Sequence, residues 1–374
     1  MQLEPPSSPQ IALLRRCSTI ALDSDAEKTI YQLVPKIEDW DLLITLAEKH
    51  GLANLLDRHL ECLKIEVPKN TRQKLLSLRI RHRRANQARI RAMGEIVETL
   101  SKNHIKSVLL KGAALIHVLY PSPELRPMSD IDLLVAPEQA EQAQQHLRDL
   151  GYVAENRKVG FPDGHHHLPM ASRTLDGVPI HIEVHRDALS GDVANSIQLD
   201  NLTAPLTDFE IAGVQCHSLG HTDMLRHLCH HMLEPMEESK LGAIADLYGY
   251  ACRFQGELDI SAIDMQHPLV KNLFSLLHYI TPVPEELRSW ISIPAAAPPD
   301  GVGYGYRPMS QTLAQEKNPI LRIAKLLQAP DWWLHGYYVV PPDRSLLMTK
   351  YLRHPNQVIK WLIRRVRAKY VDHH

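Results

Sequence analysis

The chain has 374 residues, 44% hydrophobic and 23% charged, with a formal net charge of −1. That length can bury a sizeable core in two or three structural units, and the near-zero charge excludes wholesale wrapping of a nucleic-acid duplex without a local basic patch. Five scattered cysteines with no CxxC pair read as reduced thiols, and MQLEPPSSPQ lacks the basic and apolar regions of a signal peptide, so a cytoplasmic location is expected.

No run of eighteen or more apolar residues occurs, which argues against a membrane span. Residues from about 10 to 105 read as helices. In DWDLLITLAEKHGLANLLDRHLECL the apolar residues recur at helical spacing, with Asp39 or Asp41 as the cap. The next helical pattern, Thr71 to Ser101, carries Arg72, Arg79, Arg81, Arg83, Arg84, Arg89 and Arg91. These arginines suit either a polyphosphate- or RNA-binding face or, as the plainer reading, a solvated face backed by Leu75, Leu78, Ile90, Met93 and Val97.

The texture then changes. IKSVLLKG is a β-rich run ending in glycine, AALIHVLY a helix and DIDLLVA a strand. PEQAEQAQQHLRDLG is a helix closed by Gly151, and VPIHIEVHRDAL is again a strand. Strands alternating with helices over Ile105 to about Leu189 predict an α/β unit. Helical patterning returns from roughly 219 to 285, SIPAAAPPDGVGYGYRP reads as a linker, and the tail ends in a basic amphipathic helix. Packing of Trp361, Leu362 and Val366 on the core is favoured for that helix over an anionic membrane surface. The expected organisation is α+β: an N-terminal helical region 1–104, an α/β core 105–205, a C-terminal helical region 206–290, and a linker with basic tail 291–374.

Chemistry concentrates in the α/β unit. In LRPMSDIDLLV, Asp130 and Asp132 sit two apart in an apolar run, so a strand would place both on one face. Paired carboxylates at a buried edge are costly unless positive charge lies between them. Lys111-Gly112 falls between a strand and a helix start, where glycine permits a tight turn and helix N–H groups favour an anion. HIEVH puts His181, Glu183 and His185 on one strand face. A third carboxylate joining the pair would complete an oxygen-rich cage for Mg²⁺, and two such ions are the usual device for in-line nucleotidyl transfer.

LLKGAALIHVLYPSPELRPMSDIDLLV followed by HIEVH resembles the nucleotidyltransferase superfamily that includes DNA polymerase beta. It is most similar to a bacterial branch described only as nucleotidyltransferase family proteins, with further similarity in WDLLITLAEKHGLANLL, HLCHHM and PDWWL. It also resembles abortive-infection toxin nucleotidyltransferases. The resemblance implies a nucleotidyltransferase-type core and an EC 2.7.7-type enzyme. It implies metal ligation and catalysis by Asp130, Asp132 and Glu183, with two Mg²⁺ ions or Mn²⁺ in their place. Lys111, Gly112, Arg126, Ser129 and His185 would touch nucleotide phosphates, His185 alternatively supporting a ligand from behind. The superfamily usually has Gly-Ser or Gly-Thr at the turn. Here it is Gly112-Ala113, so a phosphate-binding hydroxyl is missing.

Three functions remain open at this level. The leading one moves an NMP from an NTP, ATP among them, to a small-molecule, peptide or sugar acceptor held by the flanking helical regions. The others are a toxin-like enzyme modifying tRNA or protein, and a non-catalytic nucleotide-binding scaffold. Among 22 histidines, His165, His166 and His167 with HIEVH offer a rival transition-metal site, but three adjacent histidines in a loop are expected not to aim at one ion. His227 and His231 share a helix face at a formal metal spacing, but without a zincin-type Glu between them they read as hydrogen-bonded core or interface histidines. Asp246 points either toward the site or to a nearby base. Tyr120 packs the helix-to-strand turn.

Overall fold

The computed structural model describes residues 8–155, 165–189, 196–233, 240–261, 269–278, 280–291, 316–329, 331–338, 340 and 344–371, so the linker expected at 292–308 lies outside it. Five helices open the chain: α1 (Pro9–Arg16), α2 (Ser24–Leu33), α3 (Trp40–Lys49), α4 (Ala53–Cys62) and α5 (Lys69–Lys102). Asp39 rather than Asp41 caps α3, its Oδ1 accepting from Leu42 N at 2.8 Å. Leu75, Met93 and Val97 of α5 are buried, with Leu78 and Ile90 half-buried beside them. On its polar side, Arg72 and Arg79 pair with Asp57, Arg81 with Glu48, Arg83 with Glu124 and Arg91 with Asp176. These side chains are thus engaged within the molecule.

The sheet is built from β1 (Ser107–Leu109), β2 (Ile131–Val135), β3 (Val153–Ala154), β4 (Ala171–Leu175), β5 (Val178–His185), β6 (Thr207–Ile211) and β7 (Val214–Ser218). Its order is β3-β4-β5-β2-β1-β7-β6, with β2 antiparallel to β1 and parallel to β5. Helix α6 (Lys111–Val118) follows β1, and α7 (Ala140–Asp149) follows β2 and ends at Gly151, φ +86°. All five residues of β2 are buried, which explains its continuous apolar run. Helix α5 lies across the sheet, packing against β1, β5 and β7.

The sheet does not stop at the expected boundary of 205. The hairpin β6–β7 turns through Ala212 and Gly213, both at positive φ, and β7 lies parallel to β1, so the region expected to be helical from 206 begins with two core strands. Beyond it come α8 (His221–Met232), α9 (Leu241–Arg253), α10 (Leu269–Leu277), α11 (Pro319–Leu327), α12 (Asp331–Tyr337) and α13 (His354–Val371). Trp333 of α12 is buried and donates its indole N–H to Leu233 O at 2.9 Å, tying the tail to α8. In α13, Val358 is buried and Leu362 packs on the core, whereas Ile359 and Ile363 are exposed. The side chains of Trp361 and Val366 lie outside the description. Among the described residues no helix is long and apolar enough to cross a membrane.

Candidate active site

The β2–β5 ladder sets the site. In its parallel register Asp132 lies opposite Glu183 and Leu134 opposite His185. Ile180, Ile182 and Val184 are fully buried on one face of β5, so Glu183 and His185 emerge on the other, beside Asp132. His181 shares that face but hydrogen-bonds Ser172 Oγ across β4 at 2.8 Å.

His185 Nε2 lies 2.8 Å from Asp132 Oδ1 and 3.7 Å from Glu183 Oε2, while Lys111 Nζ lies 3.5 Å from Asp132 Oδ2. A carboxylate only accepts, so the imidazole donates to Asp132 and fixes its orientation. One ligand-type atom from each of Asp132, Glu183 and His185 lies within 4.8 Å of the others. Asp130 stands outside that group. It precedes β2, accepts from Ser129 Oγ at 3.0 Å and lines the same cavity of about 350 Å³. Of the three expected carboxylates, the structure therefore joins two closely and leaves the third on the cavity wall.

Burial alone would push the Asp132 carboxyl up, but Lys111 and the His185 hydrogen bond outweigh it and hold it well below the ordinary carboxylate range. Glu183 goes the other way: burial, then the neighbouring Asp132 charge, push it up to about 7. With Glu183 ionised, two adjacent acids face one lysine, a local deficit of positive charge. Oxygen donors in that setting fit a hard divalent cation.

The strand-to-helix turn works differently from the expectation for it. Lys111, not Gly112, takes the left-handed conformation, at φ +43°, a strain on the order of 1 kcal/mol at the residue whose ammonium meets Asp132. Gly112 is tightly enclosed: a Cβ there would sit 3.0 Å from Arg126 Nη1 and 3.2 Å from Met128 Cγ, so both side chains would have to give way by a few tenths of an ångström. Arg126 itself donates through Nε and Nη2 to Asp246 Oδ2 of α9 at 3.1 and 2.8 Å, and through Nη1 to Pro127 O. Tyr120 OH donates to Asp246 Oδ1 at 2.6 Å. Asp246 thus serves as the counter-charge of Arg126. Burial pulls the guanidinium down, yet Asp246 overrides it and raises its pKa.

Helix α8 closes the site from behind. His231 lines the cavity. His227 is buried, but neither ring nitrogen has a hydrogen-bond partner among the described residues, contrary to the expected hydrogen-bonded core histidine. Burial first and then Lys111 push its pKa far down, so the ring is neutral. The start of α9 meets the end of α3: Gly242 N donates to His50 O at 3.0 Å, and Glu48, His50 and Lys240 line the cavity. Both flanking helical regions therefore reach the acids of the core. Of these contributors, only the His227/His231 spacing is visible in the sequence.

The expectation that three consecutive histidines diverge is also corrected. His165, His166 and His167 have ring centroids 4.3–4.6 Å apart, and the last two stand 5.7 and 5.3 Å from the His185 ring. Irregular backbone lacks the strict alternation that would separate them in a strand.

Comparison with known proteins narrows the chemistry. No curated protein matches significantly. Among solved structures, an antigenic nucleotidyltransferase-like protein from Paracoccidioides brasiliensis is 15% identical with a TM-score of 0.32, over 45% of this chain and 78% of that one. The antibiotic-resistance factor ANT(2'')-Ia is 11% identical with a TM-score of 0.33, over 46% of this chain and 87% of that one. A family model described as "Uncharacterised nucleotidyltransferase" matches residues 36–283, from just before α3 through α10. More than half of the chain is covered, and the protein belongs to that uncharacterised nucleotidyltransferase family.

Proposed function

We propose that the protein transfers a nucleoside monophosphate from a nucleoside triphosphate to a hydroxyl or phosphate acceptor, in a reaction assisted by Mg²⁺ or Mn²⁺. The observation that carries this reading is Asp132 and Glu183 paired in register on adjacent parallel strands, with Lys111 beside them, in a chain of that family. Asp132 and Glu183 would hold the cation, with Asp130 available from the cavity wall for a second ion. A bound divalent ion supplies charge neutralisation at the triphosphate and lowers the pKa of the attacking group.

The chain's own groups do the rest. His185 orients Asp132. Lys111 and the first N–H groups of α6 face the phosphates, taking the place of the hydroxyl that Ala113 cannot provide. Arg126, held by Asp246 behind Gly112, and Ser129 add polar contacts along the cavity edge. Glu183 receives the acceptor's proton as the acceptor oxygen bonds to the α-phosphorus. The bond from that phosphorus to the β-phosphate bridging oxygen breaks, and pyrophosphate leaves. The acceptor lies on the side formed by α3 and α9, near His50 and Lys240.

The test is a thermal-shift screen of NTPs with Mg²⁺, followed by pyrophosphate release in the presence of candidate acceptors. A nucleotide that binds the folded state raises Tm by mass action. Stabilisation by an NTP that needs the metal and disappears in Asp132→Asn is expected. Pyrophosphate release that survives Asp132→Asn would overturn the assignment.

A further inference from the structure

The loop histidines form a second cluster that the nucleotidyl-transfer reading does not use. Their backbone is pinned to the end of β5. Leu168 N donates to Val184 O at 2.8 Å, Arg186 N to His166 O at 2.7 Å, and His167 bridges His185 across the strand edge. The three rings therefore stand on an ordered shelf beside the sheet. One nitrogen from each lies within 4.8 Å of the others. All three residues are half-buried, open enough to admit an ion.

The geometry points to a transition-metal site at His165, His166 and His167, suited to Zn²⁺, with the remaining coordination position open. Imidazole nitrogens favour Zn²⁺ and its neighbours over the hard Mg²⁺ expected at Asp132 and Glu183. Zn–N bonds of about 2.0–2.1 Å in a tetrahedron need nitrogens about 3.3 Å apart, so binding draws the three rings together from their present spacing. His167 Nδ1 lies 2.7 Å from Leu168 O. A carbonyl only accepts, so Nδ1 carries the proton and Nε2 keeps its lone pair. Ligating histidines commonly have their other ring nitrogen held in this way. Three histidines with an open position match the ligand set of catalytic rather than structural zinc. With His166 and His167 against the His185 ring, a cation here would add positive charge at the edge of the acidic pair. The proposal concerns metal binding and does not depend on nucleotidyl transfer.

The experiment uses the full chain with any affinity tag removed, stripped with chelator and reloaded with Zn²⁺. Metal retained after gel filtration is measured by mass spectrometry, and Co²⁺ substitution reads the coordination by its visible absorption. To silence the carboxylate site, the measurement is made in an Asp132→Asn/Glu183→Gln background. One tightly held ion per chain and a tetrahedral Co²⁺ spectrum are expected there. Both are lost when His165, His166 and His167 are all replaced by alanine. His165→Ala alone, the change farthest from His185 in ring contacts, should weaken Zn²⁺ by roughly tenfold or more while circular dichroism stays unchanged. The proposal is overturned if the acid double variant holds no ion, if the ion persists without the three histidines, or if His165→Ala leaves affinity unaltered.

Discussion

Two charged clusters share the wall of one cavity, and they differ in charge balance. Arg126 meets Asp246 through two guanidinium nitrogens and Tyr120 donates to the same carboxylate, so each charge has its opposite in place. Nearby, Asp132 and Glu183 sit in register with one lysine and one histidine between them. The first cluster is closed and positions backbone: it holds the loop before β2 against α9 and α6. The second has fewer positive partners than acids, and under the proposed function a cation from outside makes up the difference. Burial of charge is common to both, so burial alone does not separate them; the missing counter-charge is what the proposed function reads as the site.

The largest effect is expected where the open cluster is cut. Asp132→Asn keeps the side-chain volume and removes the carboxylate, and should lower the rate of pyrophosphate release by about a thousandfold, comparable to deleting a main transition-state contact. Steady-state kinetics check it, with far-ultraviolet circular dichroism confirming the fold. A variant that retains turnover would place Asp132 with the structural charges and erase the contrast.

Cutting the closed cluster should move stability first. Asp246→Ala leaves the Arg126 guanidinium without its partner in a mostly buried setting, for which the loss is about 4 kcal/mol. Urea unfolding measures it as a lower midpoint at unchanged slope. Loss of activity with no change in midpoint would mean that Asp246 belongs to the chemistry.

Acid sensitivity separates a third region from both clusters. His59 of α4 is buried and contacts Thr19 O through Nε2 at 2.9 Å. Burial lowers its pKa to about 4, against 6.5 for the free side chain, and the Thr19 hydrogen bond opposes the shift only in part. A depressed pKa means that the unfolded chain takes up the proton first. The stability His59 provides is complete above about pH 6.5 and falls as pH drops toward about 4, by a total on the order of 3 kcal/mol. Denaturant midpoints across that window should fall, and His59→Gln should flatten the curve. An unchanged slope in the variant would assign the acid loss to other groups.

The legible part of this molecule is its periodic part. The apolar run around Asp132 and the alternation of HIEVH reveal two strands and the faces of their charged residues, because a period of two survives in sequence. The pairing of β2 with β5, and hence the meeting of Asp132 with Glu183, depends on register between segments about fifty residues apart, for which the resemblance rather than the periodicity supplied the expectation. The β6–β7 hairpin falls inside the region expected to be helical because its strands are only five residues long and the acids of β6 face solvent, leaving little apolar alternation to mark them. Asp246 was ambiguous because its partner lies 120 residues away in sequence, and a helix pattern says nothing about which distant charge it will meet. The convergence of His165, His166 and His167 is not legible because irregular backbone carries no period at all.

The smallest effect should come from the exposed Arg91 of α5, which calibrates the other three. Arg91 and Asp176 pair with side chains 56% and 60% exposed. Water and salt screen such a pair, and two long side chains lose freedom in forming it, so Arg91→Ala should change stability by only about 0.5 kcal/mol or less. The same urea titration used for Asp246→Ala reads it directly, and repeating it at high salt should shrink the difference further. A loss approaching that of Asp246→Ala would mean that exposed and buried pairs contribute alike in this protein. The distinction between a closed structural cluster and an open site would then have to rest on activity alone.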